Sequence, residues 1–403
     1  MIRIVNFLKQ KLLSIKSYKN VNIKYLKKIN KPVIIFDRLT GRYLLNFFKY
    51  KNIFFIDIPA EGRSIEHIYI SFSIIKSCFL EILKGNMSLC YWIALIKEVN
   101  PKLIITFSDN NFDFHKLSKV LSKQYKFLTV QNAYRDESYL SEFNAKNIVI
   151  KNYICFGKQT IDHFNQIGFK VEKFYIAGSL RQYLAENEIN KMNKIKKFDI
   201  GLISENLPVK NDPVYNQRIL SLKTIAENIK KYSLENNLSV VILIKRDPES
   251  DRGKKEIDFY KKIFFDLNNI SFTTTKVNEF ANYHTMYNCN IIIGSRSTLL
   301  LEAFAKGKKI LVCNYKQDFN IKINAQKKYN RYIELNPLID SEYFLTLNKR
   351  GYDNFKRKID YLISMENNEY LVSSKKLRDY MLYYDTEFNT FEKINRIIKE
   401  CLD

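Results

Sequence analysis

The chain has 403 residues, enough for two separately cored domains, and with 46% hydrophobic and 14% aromatic residues it is too apolar to be a disordered protein. Its 66 Lys and Arg outnumber 42 Asp and Glu, and the resulting charge of +24 leaves nucleic acid, an anionic membrane surface or an anionic substrate as candidate partners. The abundance of Lys, Asn and Ile resembles AT-rich coding bias, so clusters of charge say more than the total. Residues 1–31 form such a cluster, with Arg3, Lys9, Lys11, Lys16, Lys19, Lys24, Lys27, Lys28 and Lys31 and no acid. Within it Ile4, Val5, Leu8, Leu12 and Ile15 fall near one helical face, a spacing that suits either packing on the protein's own body or an interfacial helix on an anionic membrane. Lysines interrupt this run and no small-residue cleavage site follows, which argues against a signal peptide.

From residue 32 onward short apolar runs alternate with helical periodicity, the pattern of parallel α/β domains. The first series predicts strands at Val33–Asp37, Ile53–Asp57, Leu103–Phe107, Phe127–Gln131, Tyr153–Phe156 and Phe174–Ala177, and helices at Arg42–Tyr50, Ile65–Lys84, Leu89–Val99, Phe112–Lys123 and Thr160–Ile167. Glu66, His67, Lys76 and Glu81 interrupt the longest apolar stretch, Ile65–Leu83, which argues against a bilayer span and for a buried helix, with membrane contact as the lesser reading. A polar tract, AENEINKMNKIKK at 185–197, reads as a linker. Beyond it the expected elements are strands Ile200–Ser204, Val240–Lys245, Ile270–Thr274, Asn290–Ile293 and Ile310–Cys313, and helices Gln217–Asn236, Ile257–Leu267, Phe280–Tyr287 and Leu299–Ala305. Helices at Asp353–Met365 and Glu387–Cys401 end the chain. The expected organisation is a basic segment 1–31, a first domain 32–184, a linker 185–197, a second domain 198–350 and C-terminal helices 351–403. The six cysteines form no CxxC pair and read as reduced core residues of a cytoplasmic protein; the four histidines have no metal-ligand spacing.

Polar residues gather where the predicted strands end, and ligands of open α/β sheets bind at such ends. After the strand that Gly294 closes come Ser295, Arg296, Ser297 and Thr298 at a helix N-terminus, where free amides and the helix dipole favour an anion; an ordinary Ser-capped crossover is equally compatible with the turn alone. Glu302, one turn on, is placed to accept from ribose hydroxyls. Lys245 and Arg246 end another strand and could meet phosphate as point charge and fork, although a solvated turn would look similar. Glu205, after Ser204, puts a carboxylate near the cleft centre as base or nucleophile. In the first series Ser108, Asp109, Asn110 and Asn111, then Gln131, Asn132 and Arg135, then Ser179 and Arg181, suit a sugar and its acidic substituents.

At these residues, ITFSDNNFDF, TVQNAYRDE, FYIAGSLR and GSRSTLLLEAFAKGKKILV, the chain resembles bacterial surface-carbohydrate (capsule and lipopolysaccharide) biosynthesis glycosyltransferases of the GT-B fold, over roughly residues 102–315. The resemblance implies two Rossmann-like domains facing across a cleft, a nucleotide-sugar donor held mainly by the second and a glycan or glycolipid acceptor by the first. It implies no catalytic metal or cofactor, and the sequence has no DxD triplet. IKRDPES and GSRST look like the paired turns of transferases that use CMP-activated acidic sugars such as 3-deoxy-manno-octulosonic or sialic acid, with Asp247 where those proteins carry His. The expectation is a metal-independent transferase, cytoplasmic or peripheral to the inner membrane. Lys245, Arg246, Gly294, Ser295, Ser297, Thr298 and Glu302 are assigned to the donor, Asn110, Asn132, Ser179 and Arg181 to the acceptor sugar. Glu205 is the first choice of catalytic carboxylate, Asp109 the second, with Arg135 beside the reacting sugar. The alternatives are a nucleotide-sugar epimerase, a CDP-polyol phosphotransferase, an inactive scaffold and, remotely, a nucleic-acid binder; for the last, no zinc spacing, helix-turn-helix pattern or aromatic RNP-like strand accompanies the lysines.

Overall fold

The structure, a computed structural model, describes residues 22–26, 31–48, 53–57, 67–135, 148–189, 196–205, 207, 213–273, 279–295, 297–315, 342–384 and 389–403. Two six-stranded, wholly parallel sheets organise it. The first is built from β2 (Val33–Phe36), β3 (Ile53–Ile56), β5 (Leu103–Thr106), β6 (Lys126–Val130), β7 (Val149–Cys155) and β8 (Lys170–Ile176), in the order β3-β2-β5-β6-β7-β8. The second contains β9 (Phe198–Ile203), β10 (Val240–Leu243), β11 (Ile270–Phe272), β12 (Cys289–Gly294), β13 (Lys309–Cys313) and β14 (Leu345–Leu347), in the order β11-β10-β9-β12-β13-β14. Central strands such as VIIF, LIIT and VVIL are buried at every position, as expected of strands covered on both faces. In each sheet the chain first builds outward on one side and then returns to the other. The order therefore reverses between β2 and β5 and between β9 and β12, and these switch points open crevices at the strands' C-terminal ends. Two Rossmann-like sheets with covering helices make this a GT-B fold, as the sequence leads one to expect.

Several elements depart from the sequence reading. The segment expected to be helical from Ile65 begins instead with a strand, β4 (His67–Ile70), parallel to β1 (Asn22–Tyr25) in a separate two-stranded sheet. The β-branched and aromatic run HIYI favours extension, and Ser71 then accepts from the Ile74 amide at 3.0 Å and starts α2 (Phe72–Leu83). The expected linker 185–197 is helical in its first part: α6 (Leu180–Ile189) buries Leu180, Gln182 and Ala185, and Glu186 accepts from Tyr287 and Tyr384, so polar residues that read as a connector are in fact engaged. An unanticipated helix, α12 (Asn367–Met381), follows α11 (Tyr352–Ser364). The proposed interfacial helix near Ile4–Ile15 lies outside the described residues. All six cysteines are buried and free. Among the described residues no helix is long and apolar enough to cross a membrane.

The last helix, α13 (Thr390–Leu402), carries the chain end back to the first sheet. Ile394, Ile398 and Cys401 join a core with Val33, Ile35 and Leu103. The approach to it is tight: the Tyr383 amide donates to the Phe156 carbonyl at 2.9 Å, and Gly178 has φ 83°. A Cβ at Gly178 would lie 2.3 Å from the Tyr383 carbonyl oxygen. Gly178→Ala should therefore cost on the order of 2–3 kcal/mol, combining left-handed strain with a backbone clash. A urea midpoint equal to wild type would show that the returning segment yields freely.

Candidate functional site

The C-terminal edges of the two sheets supply the polar groups. At the first switch point β2 ends in Asp37, a non-glycine residue at φ 80° whose carboxylate accepts from Ser108 Oγ at 2.6 Å, Thr40 Oγ1 at 2.8 Å and the Leu39 amide at 3.2 Å. Strained, over-determined backbone of this kind clusters at functional sites. Nearby, Arg38 Nε meets Asp57 Oδ1 at 3.0 Å. The sequence reading treats Asp37 as a strand end and gives it no role; its direct attachment to a strand and the Thr40 spacing are the signals that mark it.

Asp109 and Arg135 do come together, but inside the domain. Asp109 is fully buried, and its carboxylate accepts from Arg135 Nε at 2.8 Å, from the Arg135 terminal nitrogen, from Tyr153 Oη at 2.8 Å and from the Asn132 amide at 3.3 Å. Arg135 also donates to Asn132 Oδ1 at 2.6 Å. His115 Nε2 donates to the Asp109 carbonyl at 2.7 Å, and burial lowers the His115 pKa. A carboxylate holding these donors cannot also face a reacting sugar, so the expectation for Asp109 and Arg135 is corrected: they brace the β5 and β6 ends. Asn132 shares that network, while Asn110 is exposed beside it.

In the second sheet, α10 (Thr298–Ala305) starts where β12 stops. Gly294 makes the closure a close one, since a Cβ there would lie 3.1 Å from Leu300 Cδ1 and 3.3 Å from Ile203 Cβ, so Leu300 or β9 would have to give by a few tenths of an ångström. Ser297 is the N-cap and accepts from the Leu299 amide at 3.3 Å, the ordinary capping role. Thr298 Oγ1 accepts from the Tyr134 amide of the first half at 3.0 Å. The hydroxyl of Ser295 bonds no described residue. Arg296 lies outside the described residues.

At the neighbouring edge the backbone amides of Lys245 and Arg246 donate to Glu256, at 2.9 and 3.3 Å, and Ser204 Oγ donates to the same carboxylate. Glu256, on α8 (Asp251–Ile263), is buried, and burial raises its pKa against these bonds. The two backbone amides are thus occupied internally, and of this turn the Arg246 guanidinium bonds no described residue. Asp247 Oδ1 accepts from the Glu249 amide at 3.0 Å, a turn-forming bond. Glu205 sits at the second switch point, buried at the end of β9, between the β10 and β12 ends.

Glu302 occupies the seam between the halves and not an open pocket. Its carboxylate accepts from Ser179 Oγ at 2.5 Å and from Tyr283 Oη at 2.8 Å, and its carbonyl accepts from Gln182 Nε2 at 3.1 Å. With both oxygens engaged and only 3% exposure, the side chain has no face for a ribose, and that expectation is corrected. Ser179 is likewise consumed. Arg181 lies over the Tyr43 ring at 5.6 Å, and its buried Nε has no hydrogen-bond partner among the described residues. Its charge is held chiefly by Tyr283, then, against burial, by Tyr43, Glu302 and Glu279. Tyr43 Oη donates to Glu279 at 3.1 Å, and Arg42 pairs with the same carboxylate. Tyr43, Glu256, Glu279 and Tyr283 were not singled out from the sequence. They sit within helices, turns or 3₁₀ structure and carry no strand-end signal. Among the described residues no cluster of three His, Cys, Asp or Glu could hold a metal ion.

Burial raises the Glu302 pKa, opposed by Ser179, Arg181 and Tyr283. A carboxyl raised in the folded state binds more protons there than in the unfolded chain, so its contribution to stability falls as pH climbs from about 4.5 through the folded value. Relative to Glu302→Gln, wild type should lose stability over that window and then hold a constant offset, read from paired urea melts between about pH 4 and pH 7.5. A pH-independent offset would contradict the raised pKa. Asp109→Asn leaves the Arg135 guanidinium buried without its counter-charge and should cost about 3–5 kcal/mol by denaturant unfolding; a loss below about 1 kcal/mol would mean that Arg135 finds water.

The MnaA structure from S. aureus, bound to UDP, aligns with a TM-score of 0.53 at 12% identity, covering 92% of this chain and 97% of that one. UDP-GlcNAc 2-epimerase from Methanocaldococcus jannaschii, in complex with UDP-GlcNAc and UDP, aligns at 0.50 and 12%, covering 91% and 99%. The wall teichoic acid polymerase TagF aligns at 0.50 and 9%, covering 99% and 94%. These likenesses concern the fold. No curated protein matches the chain. Residues 128–397, more than half of the chain, match a family described as "putative O-antigen biosynthesis protein", and the chain belongs to that family.

Proposed function

We propose that the protein is a glycosyltransferase of cell-surface glycan assembly that moves a sugar from a nucleotide-sugar donor to a growing glycan or glycolipid. The carrying observation is the arrangement at the second switch point. The β10 and β12 ends flank β9, and at about 4.8 Å per strand they stand roughly 10 Å apart, the scale of a nucleotide's phosphate and sugar. One end presents Lys245 and Arg246, the other the Ser295 hydroxyl and the N-terminus of α10, and Glu205 lies between them. No described residue bonds the Arg246 guanidinium or the Ser295 hydroxyl, so both remain available to an anion. Family membership in O-antigen biosynthesis supports the pathway class, and the UDP complexes of proteins sharing the fold support a nucleotide ligand.

In this reading Arg246, Lys245, Ser295 and the α10 dipole stabilise the negative charge that develops on the departing nucleotide phosphate. Glu205 removes the proton from the acceptor hydroxyl, whose oxygen forms the new bond to the anomeric carbon as the bond to phosphate breaks. Arg181, with its unpartnered Nε at the seam, faces the acidic group of the sugar or acceptor. These residues bring cation and hydroxyl chemistry, and the reaction is assigned no metal or cofactor. The donor is assigned to the CMP-activated acidic sugars on the GSRST turn, with Arg246 in place of the missing His as phosphate donor. The epimerase reading is the second one, favoured by the epimerases among the fold's relatives.

A thermal-shift panel of CMP, UDP, GDP and CDP distinguishes the donors: the matching nucleotide at about 100 times its Kd adds roughly 2.7 kcal/mol of stability. CMP should give the largest shift, and a larger shift with UDP would remove the CMP assignment. Arg246→Ala together with Ser295→Ala should weaken that nucleotide at least tenfold, about 1.4 kcal/mol. Glu205→Gln should retain nucleotide binding and lose transfer to a labelled acceptor; full transfer by this variant excludes Glu205 as the base. Conversion of the labelled donor with no acceptor present would instead select the epimerase.

A further inference from the structure

We propose that the outward face of α2, together with the edge of the β1-β4 sheet, is a docking surface for an anionic lipid bilayer. Helix α2 buries Ile74, Cys78 and Glu81 towards the protein, and α3 (Cys90–Val99) is the element it packs on most closely. Its other face is apolar as well. Phe72, Ile75, Phe79 and Leu83 recur at intervals of three and four, hence on one side of the helix, and all are exposed, Phe72 at 76% and Leu83 at 67%. Leu80 and Met87 extend the face. The small sheet continues it: Tyr25, 70% exposed, pairs in register with Ile70, two residues before Phe72. Soluble monomers seldom leave so many large apolar side chains contiguous in water, and such a surface marks a contact with a partner.

Charge identifies the partner. The exposed ionic residues are Lys76 on α2 and Lys84 at its C-cap, and the helix's one acid, Glu81, is turned inward, 3% exposed, bonded to Lys97 at 2.8 Å, Asn86 at 2.9 Å and Lys84 at 3.2 Å. Burial alone would raise the Glu81 pKa, but those three bonds hold it at about 2, so the carboxylate stays committed to its internal partners. The neighbouring β1 strand adds Lys24, and the first 31 residues of the sequence contain nine cations and no acid. Exposed aromatic and aliphatic side chains interspersed with lysines match the acyl boundary and the headgroups of an anionic leaflet, the long lysine stems reaching past the apolar residues. A protein partner with an apolar face alone would leave this one-signed charge unused. The inference stands on the surface itself and does not depend on the sugar-transfer reading.

Co-sedimentation of the full chain with vesicles of phosphatidylglycerol and phosphatidylcholine, compared with phosphatidylcholine alone, tests it. Wild type should partition to the anionic vesicles and be released by salt. Phe72→Ser with Phe79→Ser and Leu83→Ser should reduce partition at least tenfold while the melting temperature and nucleotide binding stay at wild-type values. Lys76→Glu should reduce it by a smaller factor that vanishes at high salt. As a second readout, Phe72→Trp should show a blue shift in emission on adding anionic vesicles, over the background of Trp92. Unchanged partition in the triple variant, or no shift in Phe72→Trp, overturns the proposal. So does a wild-type dimer that the triple variant converts to monomer, which would assign the face to a second copy of the chain. Loss of nucleotide binding in wild type would count against the proposed function and leave this result untouched.

Discussion

The arrangement of the whole molecule turns on a buried carboxylate, Glu302, that belongs to one half and is satisfied by one bond from each. Ser179 reaches it from the end of β8, Gln182 takes its carbonyl from the first turn of α6, and Tyr283 supplies the remaining bond from α9 (Ala281–Tyr287) in its own half. An acid with about 3% exposure is costly without such partners. Any movement that separates Ser179 from Glu302 therefore leaves polar groups stranded, and the seam has one strongly preferred register. The apolar contribution points the same way: Tyr134, Phe156 and Ala185 of the first half belong to one continuous core with the second sheet.

The same economy explains which polar residues are left for chemistry. Asp109 lies just past the end of β5, Glu256 on α8 and Glu302 on α10, all close enough to the sheet edges that a buried acid there would ordinarily be a candidate for catalysis. Each is occupied by bonds that hold backbone or a neighbouring element in place: Asp109 braces Arg135 and Tyr153, Glu256 ties down the Lys245–Arg246 turn, and Glu302 closes the seam. With those acids neutralised or enclosed, the surface facing the cleft is biased towards Lys245, Arg246 and Arg181. A cleft edge where three acids are committed to internal bonds and cations outnumber the acids left is electrostatically suited to an anionic ligand. In this respect clustering, and not the total charge of +24, carries the functional information.

The sequence makes the sheets legible because fully buried parallel strands appear as unbroken apolar runs, and VIIF, LIIT, VVIL and NIIIG could hardly be anything else. It is weaker where an element's identity depends on partners distant in sequence. HIYI becomes a strand because Asn22–Tyr25 lies beside it, and Leu180–Ile189 holds as a helix because it is wedged between the halves, although its composition is that of a linker. For the site, strand-end placement marks where polar residues gather but carries no information on their direction. Asp109 and Arg135 occupy the expected positions and point into the domain. Tyr283 and Glu256, which decide what their neighbours can do, come from helices and have no local signature.

Direction also sets what the GSRST turn can contribute. A Ser at a helix N-terminus has two uses, capping and ligand binding, and the turn divides them among its residues. Ser297 caps α10, Thr298 accepts the Tyr134 amide from across the seam, and the Ser295 hydroxyl bonds neither. The Tyr134 bond matters for pre-organisation: it fixes the first turn of α10 against the first half, so the turn's position relative to that half is set before any ligand arrives. A nucleotide bound at Ser295 and Arg246 would then meet an acceptor on the opposite sheet without domain closure having to build the phosphate site. Binding free energy otherwise needed to order the turn remains available to the transition state, where positioning has its largest effect on rate.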